Sequence, residues 1–188
     1  MGVFPMEEFA YILDFLPQGA PSAGFSKKEP LCYAVGEEEF KLFELVTKPN
    51  AVVAIGARTF IGKDSETQKR DMIDHVKRRI TFNELTSNAV SELEFAITDI
   101  VMSHQDKYIK FFNEAEAISM RKHLLEELPG LGKKSMTAIL DERKKGNFKD
   151  FEDLATRAGI KTPEKLIVAR ILLEIEDPER KRYLFVSR

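Results

Sequence analysis

"LEELPGLGKKSMTAIL" occupies Leu125–Leu140. Pro129 stops any helix that reaches it, because it has no N–H to donate and its ring collides with the preceding turn. Gly130 and Gly132 then flank the apolar Leu131, the pattern of a sharp turn whose single hydrophobic residue pins two helices together. A new helix is expected from about Lys133. The first N–H groups of a helix have no intrahelical partner and carry partial positive charge, so an anion is favoured there, phosphate above all. Lys133 and Lys134 put two full positive charges at the end where the helix dipole disfavours them, a local cost that a visiting anion would relieve. Gly130, Leu131, Gly132, Lys133 and Lys134 are therefore the first candidate binding residues. The competing reading is a purely structural turn.

Working outward, the C-terminal third reads as short helices and tight turns. "MRKHLLEEL", "KKSMTAILDERKK", "DFEDLATRA" and "PEKLIVARILLEI" are the expected helices, with Thr162 as cap and Pro163 as first residue of the last. Upstream, Leu93, Ala96, Ile97, Ile100 and Val101 recur at helical spacing behind Thr86 or Ser87 as cap. "KYIKFFNEA" forms a further helical piece. Asp64 or Ser65 is expected to cap another helix carrying Met72, Ile73, Val76 and Ile80. The first sixty residues differ. "FAYILDFL", "FKLFELV" and "RTFIG" are short, rich in β-branched and aromatic residues, and set between turns. In "FKLFELV", Glu44 interrupts the apolar alternation. Strands without intervening helices suggest a small barrel or curled sheet. "YLFV" near the end reads as a late strand or a docked tail.

Composition bounds the function. Of the 188 residues, 43% are hydrophobic and 32% charged, as in ordinary globular proteins. A single cysteine, Cys32, excludes an intramolecular disulfide framework and fits a reducing compartment. No apolar run approaches the roughly 20 residues of a membrane span, and no secretory signal opens the chain, so a cytoplasmic protein without membrane association is expected. The net charge of −2 is uneven: residues 119–188 hold 16 Lys+Arg against 12 Asp+Glu, while residues 71–118 hold 5 against 9. The basic excess accompanies the Pro-Gly turn. Arg143, Lys144 and Lys145 follow its helix and extend the candidate surface, as Lys77–Arg79 could from "VKRRI".

The segment from Leu124 to about Arg143 resembles the helix-hairpin-helix motif of nucleic-acid-binding proteins. That resemblance implies backbone amides gripping a phosphate without base readout. "NFKDFEDLATRAGIKTPEKLIVARIL" looks like the second hairpin of a tandem pair, although Ala158–Pro163 lacks the second glycine. "EEFAYILDFLPQGAPS", "KKEPLCYAVGE" and "FFNEAEAIS" leading into "LLEELPGLGKK" resemble the archaeal DUF655 family of uncharacterised proteins. The family resemblance implies an OB-like barrel joined to a helix-hairpin-helix module, and RNA binding. Helix-hairpin-helix DNA glycosylases with lyase activity also carry L-P-G-x-G before a catalytic lysine. Lys134 would match that Schiff-base nucleophile, with Asp150 or Asp153 as the acid.

Other chemistry finds little footing. "GARTFIGKD" has Asp64 where a phosphate-binding loop needs Ser or Thr. His75, His104 and His123 lie far apart with no cysteine cluster, so no metal site is expected. Cys32 lacks a visible His partner for nucleophilic catalysis. Tyr11, Phe25 and Tyr33 are candidates for stacking on single-stranded bases.

The expected protein is α+β. It has a barrel-like β region at 1–64, a helical connector at 65–118, a tandem helix-hairpin-helix-like module at 119–176, and a tail at 177–188. It is expected to bind nucleic acid without catalysis, cofactor or metal, with RNA preferred over DNA and the ribosome or an RNA-processing assembly as partner. The alternative is a protein-interaction module whose hairpin is structural.

Overall fold

The computed structural model describes residues 7–20 and 28–188. It divides into two units. One takes in the chain up to Ala96 together with Glu174–Arg188; the other is Ile97–Leu173.

The first unit is built on five strands, β1 (Phe9–Leu16), β2 (Leu31–Gly36), β3 (Leu42–Thr47), β4 (Arg58–Phe60) and β5 (Ile73–Arg79). They form one antiparallel sheet in the order β4-β1-β2-β3-β5. It curls into a half-barrel whose concave side is lined by Ala10, Ile12, Cys32, Ala34, Phe43, Leu45, Ile61 and Ile73. β2 has no counterpart among the sequence expectations. All six of its residues are buried, so the in-out alternation that marks a strand is missing.

The expected helix over Met72–Ile80 is instead β5, and the physical reason is a pair of bulges. β5 pairs Thr47 with Ile73, Val46 with His75 and Leu45 with Val76, then Glu44 with Arg78, leaving Asp74 and Lys77 as extra residues. An extra residue turns the usual two-residue repeat of a strand into three. Ile73, Val76 and Arg79 thereby share the concave face, in a spacing that imitates a helix. Lys77, Arg78 and Arg79 accordingly lie on an edge strand rather than a helix. Glu44, the residue that spoils the alternation of β3, is buried at 3% exposure and meets the Arg78 guanidinium at 2.6 Å.

Among the described residues the sheet does not close into a barrel, since β4 and β5 are its two edges. Arg70 spans them. Its guanidinium donates to the carbonyls of Gly62 (2.7 Å) and Ile61 (2.9 Å) beyond β4, and to that of Asp74 (2.9 Å) on β5. Asp64, expected as a helix cap, accepts from the Arg70 backbone N–H at 2.7 Å and steadies this clasp.

Helix α1 (Ser87–Ser103) starts as expected. The Thr86 hydroxyl accepts from the Ala89 N–H at 3.1 Å and donates to buried Asp14 of β1. Leu93, Ala96, Ile97, Ile100 and Val101 are all buried.

The C-terminal tail forms no strand. "YLFV" is a docked segment: the N–H groups of Leu184, Phe185 and Val186 all donate to Glu174 Oε1, at 2.8, 2.9 and 3.0 Å. Glu174 is 2% exposed. Removing a buried acceptor strands its donors, so Glu174→Ala is expected to cost about 2 kcal/mol. Faster hydrogen exchange at the amides of 184–186 would accompany the loss. Unchanged exchange there would show that the tail docks by its apolar side chains alone.

The second unit holds α2 (Gln105–Glu114), α3 (Lys133–Arg143), α4 (Phe151–Ala158) and α5 (Pro163–Glu176), the last running on into the first unit. Phe112 meets Phe151 edge to face at 6.4 Å, and Leu125, Ile139, Leu154, Ile167 and Ile171 complete a buried core. Asn113 makes a two-way pair with the backbone of Phe148, donating at 3.0 Å and accepting at 2.8 Å.

"MRKHLLEEL" is not a helix along its length. Only Leu124–Glu127 turn, as one short 3-10 segment. The chain before it folds back, with Ala117 bridged to His123, and the Leu124 N–H donates to Glu116. Pro129 closes the other end. Between a reversal and a proline there is no room for a longer helix.

Candidate nucleic-acid interface

The turn is set from both sides. The His123 N–H donates to Glu126 Oε2 at 2.6 Å, and His123 Nδ1 accepts from the Leu125 N–H at 3.0 Å. His123 must be neutral for that, and burial together with the nearby Arg143 lowers its pKa below the ordinary 6.5. Glu127 is clasped next. Arg170 of α5, 1% exposed, donates to the Glu127 carbonyl and to its carboxylate, both at 3.0 Å, and Lys122 meets the other carboxylate oxygen at 2.7 Å. The Lys122 contact first, with Arg170 helping, holds the Glu127 carboxyl below its ordinary range.

Past Pro129, Gly130 has φ of +89°, a conformation that an L side chain resists. A Cβ at Gly130 would stand 3.6 Å from Leu166 of α5, one turn before Arg170. α5 thus seats the turn twice on one face, by Leu166 and by Arg170. Gly132 is different. Its φ of −81° and ψ of 164° suit any residue, and nothing lies within 4 Å of where its Cβ would be. Positive φ is needed only at Gly130; at Gly132 the glycine leaves the end of the helix bare. Leu131 is half-buried, consistent with a pinning role.

Gly132 is the N-cap of α3. No side chain caps it, no acidic residue stands in the first turn, and the first amide to close on the helix is Met136, donating to Gly132 at 2.9 Å. The N–H groups of Lys133, Lys134 and Ser135 precede it and have no carbonyl one turn back. Both lysines are exposed, and neither has an ion pair among the described residues. α4 is the contrast: Asp150 caps it by accepting from the Asp153 N–H at 2.8 Å, and Glu152 and Asp153 complement its dipole.

The cations after α3 divide. Arg143 turns inward and donates to the Phe112 carbonyl at 3.1 Å. Lys145 pairs with Glu142 at 2.9 Å, while Lys144 is exposed. Arg157, which sequence reasoning passed over, closes this loop from α4, donating to the carbonyls of Glu142 (2.6 Å) and Gly146 (2.7 Å) and lying over the Phe148 ring at 4.5 Å. Arg170 was equally invisible, since a cation inside an apolar helical stripe gives no sign of its partner. Between α4 and α5, Gly159 ends α4 at φ +70°, but Glu164 occupies the first turn of α5 and disfavours an anion there.

The remaining candidates are placed as follows. Asp150 acts as a cap, and Asp153 accepts from the Lys149 N–H at 2.9 Å and from Arg157 at 3.2 Å. Tyr11 and Tyr33 are buried at 7% and 5% exposure, so neither offers a face for base stacking; Phe25 lies outside the described residues. His75 pairs with its neighbour Asp74, and His104 Nδ1 lies 2.9 Å from the Ile100 carbonyl. Among the described residues no group of three or more His, Cys, Asp or Glu could hold a metal, and no helix is long and apolar enough to cross a membrane. Cys32 is fully buried, and burial with the Asp14 charge pushes its thiol up to about 12. The folded protein is therefore expected to resist a thiol reagent at neutral pH and to react once unfolded. Rapid labelling of the native state would contradict this burial.

The comparisons agree with one another. A family model described as a protein of unknown function (DUF655) matches residues 6–187. The uncharacterized protein MJ0038 of Methanocaldococcus jannaschii is 41% identical over 182 residues, covering 96% of this chain and 80% of that protein. The crystal structure of Af1531 from Archaeoglobus fulgidus, titled as a DUF655 member, is similar at a TM-score of 0.87 and 43% identity, over 96% of this chain and 100% of that one. With the family model matching nearly every residue and two archaeal relatives above 40% identity, the chain belongs to the DUF655 family.

Proposed function

We propose that this protein binds nucleic acid without catalysis, gripping the phosphate backbone through Pro129–Lys134 used as a helix-hairpin-helix turn. The observation that carries this reading is the start of α3: an uncapped N-terminus with no acid in its first turn and two exposed lysines without an ion pair among the described residues. Such a terminus is unfavourable in isolation and becomes favourable with an anion in place. The seating of the turn on Leu166 and Arg170 holds the cradle ready, so little ordering is needed on binding. Lys144 extends the positive surface. Arg143 and Lys145 are engaged within the protein and contribute less.

RNA is the preferred polymer, because the curled sheet suits an OB-like domain and such domains serve single strands. A single hairpin makes few phosphate contacts, so binding by the protein alone is weak and a ribosome or RNA-processing assembly supplies the remainder. The test is binding of the full chain to labelled single-stranded RNA, double-stranded RNA and double-stranded DNA, each at two salt concentrations. Salt-sensitive binding strongest for RNA is expected. No binding to any polymer at low salt would sink the reading.

A further inference from the structure

After β5 the chain passes through Thr81 into a short 3-10 turn, Phe82–Glu84, and the docked tail runs beside it. Between them lies a cleft of about 400 Å³, a volume typical of small-molecule sites. Leu42, Ile80, Ile175 and Val186 give it apolar walls, and Phe82 and Tyr183 add aromatic rings. Thr81, Asn83 and Ser187 supply groups that both donate and accept. Phe40 also lines it, fully buried yet held at φ +58°. Backbone strain of this kind in a bulky residue collects at ligand sites.

The charges of the cleft select the ligand. Glu174 is already saturated by three tail amides, and Lys41 is paired with Glu39 at 2.8 Å. Arg79 is exposed and has no ion pair among the described residues. The Arg188 guanidinium lies over the Tyr183 ring at 4.6 Å, with one N–H on the Arg180 carbonyl at 2.8 Å. Among the described residues lining the cleft, the acid other than Glu174 is Glu176, which is exposed. A guanidinium over an aromatic ring, a second guanidinium in the lining and an apolar wall suit a planar ring that carries an anion.

We propose that this cleft binds a nucleotide, its base against Phe82, Tyr183 and the apolar wall and its phosphate on Arg79 and Arg188. Arginine is suited to the phosphate because its fork of N–H groups meets two oxygens at once. A base stacked on an aromatic side chain is held whatever its identity, so the cleft discriminates little among bases. A free mononucleotide and the terminal nucleotide of an RNA present this same chemistry.

The experiment is calorimetric titration of the full chain with adenosine 5′-monophosphate, adenosine, inorganic phosphate and a short RNA bearing a terminal phosphate. Arg79→Ala, Arg188→Ala and Phe82→Ala are compared with Lys133→Glu/Lys134→Glu. The monophosphate is expected to bind more tightly than adenosine or phosphate alone. Each cleft variant should weaken it about tenfold, as expected for one lost charge-assisted or stacking contact. The hairpin variant should leave it unchanged, which separates this site from the hairpin. Arg79 is exposed on an edge strand, so its replacement tests the cleft even where Phe82→Ala disturbs folding. Displacement of the monophosphate by the RNA would make a chain end the ligand, and its absence a free nucleotide; both uphold the site. No heat with the monophosphate, equal binding by phosphate alone, or loss only in the hairpin variant would overturn it.

Discussion

Lys133→Glu/Lys134→Glu is expected to bind RNA about a hundredfold more weakly than the parent chain at low salt, each lysine being worth about 1.5 kcal/mol of charge-assisted contact. Its salt dependence should flatten as well. Each phosphate contact contributes about 0.9 to the slope of log affinity against log salt on duplexes and about 0.7 on single strands. Two lost contacts therefore lower the slope by about 1.5 to 2. The sharper signature lies in stability. Glutamates in the first turn of α3 complement its dipole where the lysines oppose it, at about 0.3–1 kcal/mol per residue. The variant should melt at the same temperature or slightly higher while losing its ligand. A residue kept for the fold could not behave in this way. Unaltered RNA binding, or a large fall in melting temperature, would return Pro129–Lys134 to the status of a turn.

Arg170→Ala is expected to be the most damaging single change to the fold, at about 3–5 kcal/mol. The side chain is 1% exposed and grips both the carbonyl and the carboxylate of Glu127. Its removal leaves a cavity, an orphaned carbonyl and a carboxylate with only Lys122 to answer it. In a chain of this length the melting temperature should fall by about 6–20 °C. RNA binding should weaken too, since the turn loses one of its two seats on α5. Acid should act at the same place. Glu127 has a folded pKa below its ordinary 4.5, so its contribution is complete above that value and is lost as pH falls through the depressed one. His123 has a folded pKa below 6.5, so its capping contribution is likewise present above that value and lost as pH falls beneath it. Stability should therefore decline from mildly acidic pH downward, and Arg170→Ala should show less of the lower step. An Arg170→Ala protein as stable as its parent would mean that Leu166 alone seats the turn.

Much of this was legible in the chain. Pro129 and the two glycines announced the turn, Pro163 the start of α5, and Thr86 or Ser87 the start of α1, because each is a local steric or capping requirement. What escaped was set by distant neighbours. The bulges of β5 are visible only against β3, and they gave Ile73 and Val76 a helical spacing that the strand satisfies. Leu31–Gly36 is buried on both faces and so carries no periodicity. At the candidate interface, composition could not tell that Arg143 and Lys145 answer internal partners while Lys133 and Lys134 have no ion pair among the described residues. Nor could it tell that Arg170 is buried, since its partner lies 43 positions away.

The open edge of the half-barrel has a meaning for how molecules of this protein meet one another. β5 is an edge strand, and an unpaired edge is a template on which a second chain can continue the sheet. Along it Lys77 meets Glu29 and Arg78 meets Glu44 and Glu84, while Arg79 has no ion pair among the described residues, so Arg79 is the charge that a second edge would have to cover. A charge at that position discourages edge-to-edge pairing of two sheets.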